Sequence, residues 1–448
     1  MIRLRPFEKM SYKEIRDKYL ELLVEKEAVE FDKADIIRNG PSKPGRKTEE
    51  SYKILEKFPK LREYLYHDNK KIKKENLRKI LIGPDEAPRS LGGEGEFTTM
   101  RSVFDKIISE IDGDASDISP DAVDACKKIF KYKRLNVVGK GVSKSPTFQE
   151  TLDSSDTSEP LAYWLQSQLS VKVCPYCNRM YTTTLYGKKR VRPDFDHFYP
   201  QSRYPYLAVS LFNLIPSCNV CNRAKSDYAE IKKYFEKKGK SKKVIHRREQ
   251  KSIIYPYDES YNESYNELKR HISFRVKPNE TYQEVLMGQS DDFTVELRPT
   301  EYPGKLEFEK STLTKTELDE RFGYVKSKLG DDEKEERAFW DRAKDSIDLL
   351  RLESLYNEHK SEIRKILRIH YEYNQDAIQL IMQTLDTPTA AHMDLLFDRD
   401  LQYFASLRPE EWGNSPLNKL KSDIIDQLDK LKNIGTRPIR IGSNENDK

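Results

Sequence analysis

Four of the five cysteines in this chain form two C-x-x-C pairs, Cys174 with Cys177 and Cys218 with Cys221. The two-residue gap lets both sulfurs of a pair reach one ion, and four thiolates are a ligand set that zinc takes at structural tetrahedral sites. Disulfides and unused buried thiols are the alternatives. Five cysteines are too few for a disulfide scaffold in 448 residues, and paired C-x-x-C in a reducing compartment indicates metal. The spacing therefore predicts a structural zinc ion with no open position for water.

A second set of polar residues lies between and beside the cysteine pairs, in the order Asp196-His197, Asn213 and Asn222. His197 suits a general base that deprotonates water, because the side-chain pKa of histidine is normally about 6.5. Asp196 suits a hard cation such as Mg²⁺ or Mn²⁺, joined by the carbamoyl oxygen of Asn222. Asn213 would hold the histidine segment through hydrogen bonds. An isolated histidine or asparagine is more often structural, but the combination indicates metal-assisted phosphodiester hydrolysis.

Short strands and one helix must bring these residues to one point. Residues 180–185 and 191–196 are predicted to be two strands joined by a Tyr-Gly-Lys-Lys turn, and the second strand delivers Asp196 and His197 at its end. Residues 214–216 form a further short strand, and Asn222 opens a helix that runs to Tyr234. The predicted order is strand, loop, strand and helix.

Basic residues surround this predicted site. They cluster at the hairpin turn, after the histidine segment and at the start of the helix: Lys188, Lys189, Arg190, Arg192, Arg203, Arg223 and Lys225. Residues 232–251 add ten Lys and Arg against two Glu. Such clusters can neutralise phosphates and make nucleic-acid binding salt dependent, although a solvated surface also explains them. Arg203 could clamp a phosphate, and Asp194 could lend charge beside Asp196.

The same residues carry a resemblance to a known enzyme family. Asp196-His197, Asn213-Leu214 and the run from Cys218 to Lys225 match the pattern D-H, N-L and C-x-x-C-N-x-x-K of HNH endonucleases, the ββα-metal or His-Me finger group. The resemblance covers residues 173–227. It implies His197 as the general base, and Asp196 and Asn222 as ligands of a catalytic Mg²⁺ or Mn²⁺. It implies Asn213 as the residue that orients the histidine loop.

The third position of this family pattern is often histidine, whereas this chain has Asn222. The substitution leaves the cation preference open, since metals that prefer nitrogen ligands lose a favoured partner.

A broader likeness extends beyond this stretch. The phrases DHFYP and CNRAKSD, the later Tyr255-Pro256 with HISF, and the helix PLNKLKSDI resemble bacterial HNH proteins of phage-defence systems, such as Septu-type nucleases. The likeness is poor before Thr151. It implies a defence effector that cleaves DNA, with double-stranded DNA as substrate and an ATPase or sensor subunit as protein partner. The sequence lacks a nucleotide-binding loop, so a partner would have to supply the energy.

Composition limits the wider function classes. The chain has 36% hydrophobic residues, 35% charged residues and a net charge of +5, so nucleic-acid affinity must come from local patches and not from the overall field. No apolar run approaches the ~18 residues of a membrane span, and the first residues contain no apolar signal-peptide core. We therefore expect a cytoplasmic protein with no membrane partner.

Helical periodicity dominates the rest of the chain. Ser11 and Glu14 form a capping box for a helix that continues to Gly40. Further helices are expected around residues 70–81, 103–111, 119–130 and 161–169, with Cys126 on an apolar helix face, after Glu335 and from Ser415-Pro416. Residues 151–160 have the composition of a linker, and alternating apolar residues at 272–276 and 293–297 predict a small β segment.

The predicted fold class is α+β and mainly helical, with a central ββα-metal HNH module and structural zinc flanked by helical N- and C-terminal regions. The predicted domains are a helical region 1–150, the nuclease module with its basic extension at 161–250, a β segment with helices at 251–435, and a polar tail at 436–448. Three functions stay open: a DNA endonuclease, a nuclease that acts on RNA or tRNA, and a catalytically silent zinc-ribbon scaffold that binds nucleic acid.

Overall fold

The computed structural model describes residues 2–4, 10–37, 44–112, 118–136, 160–169, 171–185, 191–226, 252–265, 268–279, 282–300, 315–330, 332–372 and 415–433. This part of the chain is mainly helical and contains small sheets, as the α+β prediction required. None of its helices is both long enough and apolar enough to cross a membrane.

Two compact units divide the chain. The first contains Met1–Glu263, Gly330–Arg351 and Gly413–Pro416, and the second contains Ser264–Leu329, Leu352–Trp412 and Leu417–Lys448. Residues 151–159 of the predicted linker lie outside the described residues, so the predicted domain bounds stay a prediction. The helical region 1–150 shares one unit with the cysteine pairs, and the region 251–435 is divided between the two units.

Eight helices precede the cysteine pairs within the described residues. They are α1 (Tyr12–Glu25), α2 (Lys33–Ile36), α3 (Arg46–Ile54), α4 (Pro59–Leu65), α5 (Lys74–Ile82), α6 (Met100–Asp112), α7 (Pro120–Ile129) and α8 (Leu161–Gln168). Short 3-10 turns include Leu55–Lys57, Arg89–Leu91 and Tyr132–Asn136. Apolar side chains such as Leu23, Leu61, Ile80, Phe104 and Ile129 are fully buried, so these helices share a hydrophobic core.

The predicted capping box begins α1. The Ser11 hydroxyl accepts the Glu14 amide at 3.3 Å, and the Glu14 carboxylate accepts the Ser11 amide at 2.8 Å. The helix ends at Glu25, whereas the sequence pattern predicted that it continues to Gly40. Glu27 takes a left-handed φ of 51°, and Val29 then forms an antiparallel bridge with Phe130. The expected long helix is therefore two helices, α1 and α2, because a tertiary pairing draws the chain between them away.

Helix α5 ends where the chain approaches the predicted site. Gly83, its C-cap, has a φ of +75°, and a Cβ at this position would lie 3.2 Å from Cε2 of Phe212, the residue before Asn213. Glycine permits both the left-handed conformation and the close approach. The helix starts at Lys74 and not near Lys70, which has a left-handed φ of 63°.

Helix α7 has the predicted cap and core residue. The Ser119 side chain accepts the Ala122 amide at 3.2 Å, and Pro120 occupies the first helical turn. Cys126 is fully buried in this helix, as expected for a small core residue.

Hydrogen bonds join the N-terminal helices to the segment that carries the cysteine pairs. The Tyr19 hydroxyl of α1 donates to the Val209 carbonyl at 3.1 Å. The Ile2 amide donates to the Pro175 carbonyl at 2.8 Å. The N-terminal helices therefore support this segment directly and are not a separate module.

The remaining elements of the first unit include β1 (Asp194–His197), β2 (Leu214–Ser217) and α9 (Asn219–Lys225). Further along the chain come β3 (Asn262–Tyr265), β4 (Leu268–Pro278), α10 (Tyr282–Leu286), β5 (Phe293–Pro299), α11 (Lys315–Ser327), α12 (Lys334–Leu349), α13 (Leu352–Asn357), α14 (Lys360–Glu372) and α15 (Asn418–Asn433). Of these, α12 belongs to the first unit, and the elements from β4 onward otherwise belong to the second.

The sheet of the second unit confirms the predicted β segment. Its strand order is β3-β4-β5, and β4 pairs antiparallel with β5, so that Phe274 faces Leu297 and Val276 faces Val295. These side chains are buried. Asp423 of α15 accepts the Phe274 amide at 2.8 Å, which fastens the last helix to the sheet.

Candidate functional site

The four cysteines of the two pairs lie together in the first unit. All four side chains are buried, none forms a disulfide, and their sulfur atoms all lie within 4.8 Å of one another. The Sγ atoms of Cys177 and Cys218 are 3.9 Å apart. A tetrahedron with metal–sulfur bonds of about 2.3 Å has edges of about 3.8 Å. The cluster can therefore hold a structural metal ion such as zinc.

A tight hairpin forms the first half of this cluster. Asn178 takes a left-handed φ of 51°, and its amide donates to the Cys174 carbonyl at 2.7 Å. The Cys174 amide in turn donates to the Met180 carbonyl at 2.9 Å, and a bridge between Val173 and Tyr181 closes the hairpin. Asparagine tolerates the left-handed region better than most residues do, so the turn after Cys177 is encoded locally.

The start of α9 forms the second half. Cys218 is the N-cap of this helix, and its Sγ accepts the Cys221 amide at 3.5 Å. Hydrogen bonds from the thiols of Cys174, Cys177 and Cys221 lower the pKa of Cys218 far below the usual range of a thiol, whereas burial raises the pKa of Cys174. Thiolates are the metal-binding form of cysteine, so the lowered pKa of Cys218 favours metal binding.

Two strands and one helix position the other predicted residues. β1 pairs antiparallel with β2, with Asp194 opposite Ser217 and His197 opposite Leu214, and α9 follows immediately. The order of strand, loop, strand and helix agrees with the prediction, but the elements are shorter. Residues 180–185 contribute only isolated bridges, including Leu185 with Val191, and do not form a strand. The helix begins at Asn219 and not at Asn222.

His197 ends β1 and is half-buried. Its Nε2 lies 2.9 Å from the Ala208 carbonyl oxygen. A carbonyl oxygen can only accept, so Nε2 carries the hydrogen and Nδ1 keeps a lone pair for an incoming proton. The Tyr132 ring packs edge-on against the imidazole, with ring centroids 4.5 Å apart. Burial lowers the pKa of His197, which favours the neutral imidazole.

Asn213 fixes both His197 and its hydrogen-bond partner. The buried Asn213 Oδ1 accepts the Tyr199 amide at 2.7 Å, and Nδ2 donates to the carbonyls of Tyr199 at 3.1 Å and Leu207 at 3.0 Å. Its main-chain oxygen accepts the Phe198 amide at 2.9 Å. Phe198 follows His197, and Leu207 precedes Ala208. One side chain therefore joins the two ends of the loop that forms the His197 hydrogen bond.

Two tyrosines of the segment 252–258 hold the chain on both sides of Asn213. The Tyr257 hydroxyl donates to the Leu214 carbonyl at 3.0 Å, and the Tyr255 hydroxyl donates to the Phe212 carbonyl. Both tyrosines are fully buried or nearly so. The start of β2 is thus held from a segment distant in sequence.

Asp196 is buried and already engaged by two donors. The Tyr176 hydroxyl donates to Oδ2 at 2.6 Å, and the Lys225 ammonium lies 3.2 Å from Oδ1 and 3.1 Å from Oδ2. Lys225 also donates to the His197 carbonyl at 2.8 Å. Its side chain is 0% exposed and that of Asp196 is 4% exposed. The carboxylate predicted to bind a cation therefore has an ammonium group as its charge partner.

Asn222 lies in the middle of α9 and is half-buried. It precedes Lys225 by three residues, so the two side chains share one helix face, and Lys225 reaches Asp196 and His197 from that face. Within the described part of the chain, no side-chain hydrogen bond occupies the Asn222 carbamoyl group. Asn222 is therefore related to Asp196 through the helix face that it shares with Lys225.

The residues predicted to contact nucleic acid differ in their exposure and in whether the structure describes them. Lys188, Lys189, Arg190 and the basic run 232–251 lie outside the described residues. Arg223 is exposed on α9, and Arg203 is half-buried after β1. The Arg192 guanidinium donates to Asn136 Oδ1 at 3.1 Å and stacks over Phe195 at 5.0 Å. Asp194, the weaker acidic candidate, is exposed.

The structure corrects the prediction for Lys225. It is fully buried against Asp196, so it does not contribute to an exposed basic surface. Sequence reasoning also missed Tyr176 and Tyr132. Tyr176 had a signal, because it stands between two ligand cysteines and its position was therefore constrained. Tyr132 had none, because its contact with His197 arises from the packing of a distant turn.

Comparison of the chain with protein-family models, with curated proteins and with solved structures finds no match. The function must therefore be inferred from the chemistry of the site.

Proposed function

We propose that this chain is a metal-dependent HNH-type endonuclease that hydrolyses phosphodiester bonds of DNA. The observation that carries the proposal is the hydrogen bond between His197 Nε2 and the Ala208 carbonyl, 2.9 Å long, in a loop held by Asn213. It orients a neutral imidazole with one free nitrogen, which is what a general base for water requires. A histidine with only a packing role would not need its acceptor to be fixed so closely.

Each residue of the site has a role in this proposal. His197 takes a proton from the attacking water at Nδ1. Asn213 keeps the imidazole within hydrogen-bond distance of the Ala208 carbonyl through its own hydrogen bonds to Tyr199 and Leu207. Exposed Arg223, with the basic residues around it, would attract the phosphate backbone.

Asp196 and Asn222 are proposed to hold the catalytic divalent cation, Mg²⁺ or Mn²⁺. When bound, such an ion stabilises negative charge on the phosphate and on the leaving oxygen. Both side chains offer the oxygen ligands that these hard cations prefer. Asp196 can serve only if Lys225 withdraws from it, because the ammonium now contacts both carboxylate oxygens.

We propose zinc as the ion of the four-cysteine cluster. Its role is structural, since four thiolates complete a tetrahedron. The cluster lies at the entry to α9 and beside the segment that carries Tyr176, so the ion would hold the elements of the site together.

A specific observation favours one competing function, a catalytically silent scaffold. The buried ion pair of Asp196 with Lys225 satisfies the carboxylate without any cation. In that case the chain would bind nucleic acid through its basic residues and leave the phosphodiester bond intact.

Nicking of supercoiled plasmid in Mg²⁺ or Mn²⁺ separates these functions. We expect the wild-type chain to nick the plasmid and His197→Ala to lower the rate by at least about 100-fold, the usual contribution of a general base. His67→Ala, which changes an exposed histidine, is the matched control and should cleave normally. Equal rates in wild type and His197→Ala would refute the assignment. Cleavage of RNA but not of plasmid would replace DNA as the substrate.

A further inference from the structure

We propose that Tyr176 is a positioning residue that couples the four-cysteine cluster to the carboxylate of Asp196. The inference rests on the proposed function, because it takes Asp196 as a ligand of the catalytic cation. It adds a link between the structural ion and the catalytic ion.

The position of Tyr176 leaves it little freedom. It stands between Cys174 and Cys177, and its side chain is fully buried. A metal ion bound by both cysteines would fix the backbone on both sides of it. The phenol hydroxyl then donates to Asp196 Oδ2 at 2.6 Å, so the direction of that oxygen is set from the first cysteine pair.

The second donor to Asp196 comes from the other cysteine pair. Lys225 belongs to α9, the helix that Cys218 caps and that contains Cys221. Its ammonium contacts both carboxylate oxygens. The described polar partners of the Asp196 side chain are therefore both carried by segments that the cysteine cluster holds.

These two donors have opposite effects on a cation. Lys225 brings a positive charge and competes with a cation for the carboxylate. The Tyr176 hydroxyl is neutral, occupies one lone pair of Oδ2 and leaves the others available. The ammonium lies almost equally far from the two carboxylate oxygens, at 3.2 Å and 3.1 Å, so among the described donors it is the Tyr176 hydroxyl that distinguishes Oδ2 from Oδ1 and orients the carboxylate. Hydrogen bonds that orient a ligand commonly change metal affinity by about 10- to 100-fold.

A plain structural role is the alternative. A buried tyrosine needs a partner for its hydroxyl, and Asp196 could be no more than that partner. In that case removal of the hydroxyl would lower the stability of the chain, but the folded protein would bind the cation as tightly as wild type does.

The test compares Tyr176→Phe with wild type in the full zinc-loaded chain. Tyr181→Phe is the matched control, because Tyr181 lies in the same hairpin and is exposed. Three quantities are measured: zinc content, Mn²⁺ binding by electron paramagnetic resonance, and the Mn²⁺ concentration that gives half-maximal plasmid nicking. Mn²⁺ binding needs no substrate, so it reports on the site independently of activity.

We expect Tyr176→Phe to keep its zinc and to bind Mn²⁺ about 10-fold more weakly. The half-maximal Mn²⁺ concentration should rise by the same factor, while the rate at saturating Mn²⁺ changes much less. Tyr181→Phe should match wild type in every measurement.

Two results would overturn the inference. One is Mn²⁺ binding by Tyr176→Phe equal to that of wild type. The other is loss of zinc from Tyr176→Phe, since Tyr176 would then serve the cysteine cluster and not Asp196. Failure of the proposed function would give a different result. The zinc-loaded wild type itself would bind no Mn²⁺ and would not nick plasmid.

Discussion

The ammonium of Lys225 lies 3.1 Å from Oδ2 of Asp196, and both side chains are buried. Such a pair constrains the site, because a buried charge that loses its partner is strongly destabilising. The pair also joins the middle of the candidate site: Asp196 belongs to β1, and Lys225 ends α9. The strand and the helix that carry the proposed cation ligands are therefore fastened to each other by opposite charges.

Lys225→Met removes one charge of this pair and keeps much of the side-chain volume. We expect it to lower the free energy of unfolding by about 3–5 kcal/mol, since Asp196 would stay buried without its charge partner and would keep only the neutral Tyr176 hydroxyl as a donor. Urea unfolding measures the change. Arg223→Met, two residues away and exposed, is the control and should stay within about 0.5 kcal/mol of wild type.

The same variant also tests the cation site. Mn²⁺ can replace the missing charge in Lys225→Met, and a ligand that binds only the folded state raises stability. Mn²⁺ should therefore stabilise Lys225→Met more than it stabilises wild type. No stabilisation of either protein would contradict cation binding at Asp196.

The pH dependence of cleavage should report the neutral form of His197. Burial lowers the pKa of its imidazole below the usual value of about 6.5, and a cation on the neighbouring carboxylate would act in the same direction. The nicking rate should rise with pH, reach half its maximum below about pH 6.5 and stay level at neutral pH. Rates between about pH 5 and 8 at saturating Mn²⁺ provide the measurement. A midpoint above the usual histidine value would show that another group is the base.

The free energy of unfolding should also depend on the protonation of His197. The folded-state pKa of His197 is below the unfolded-state value, so its contribution is complete above about pH 6.5 and is lost as the pH falls through the folded-state pKa. Replacement of His197 by alanine should remove this component from the pH dependence of unfolding.

Asn213→Ala should loosen the loop that carries His197. It deletes three buried side-chain hydrogen bonds, two with Tyr199 and one with the Leu207 carbonyl, which still accepts the Ser210 amide at 3.1 Å. Each lost hydrogen bond contributes about 0.5–1.5 kcal/mol, so we expect a loss of about 2–4 kcal/mol in urea unfolding and a slower nicking rate. Asn219→Ala, which changes an exposed asparagine on α9, is the control and should change neither. A stable Asn213→Ala protein with full activity would show that the loop needs no such brace.

Cys218→Ser should remove the structural metal. Wild type should contain about one zinc ion per chain, and the variant should lose it together with much of its stability, since metal binding adds directly to folding free energy. Zinc content and thermal unfolding are the measurements. Cys126→Ala offers the matched control, because Cys126 is buried outside the cluster and its loss should leave the zinc in place. Zinc retention by Cys218→Ser would mean that the four sulfurs do not form one site.

Local sequence determined the parts of the site that depend on short-range geometry. The C-x-x-C gaps indicated one four-cysteine cluster, because a two-residue gap allows two sulfurs to approach one ion. The capping residues Ser11 and Ser119 marked helix starts, and the alternation around Phe274 marked a strand, because caps and strand faces are set by neighbours in sequence. The order of strand, loop, strand and helix followed from the same local signals.

Tertiary structure alone decided which side chains meet. Lys225 was expected at the surface, yet α9 turns it inward to Asp196, and Tyr132 reaches His197 from a turn after α7. The N-terminal helices share one compact unit with the cysteine pairs, which no local signal in the sequence indicated. Composition and periodicity describe one face of one element at a time. The partner of a buried charge depends on which elements the hydrophobic core brings together, and that is a property of the whole fold.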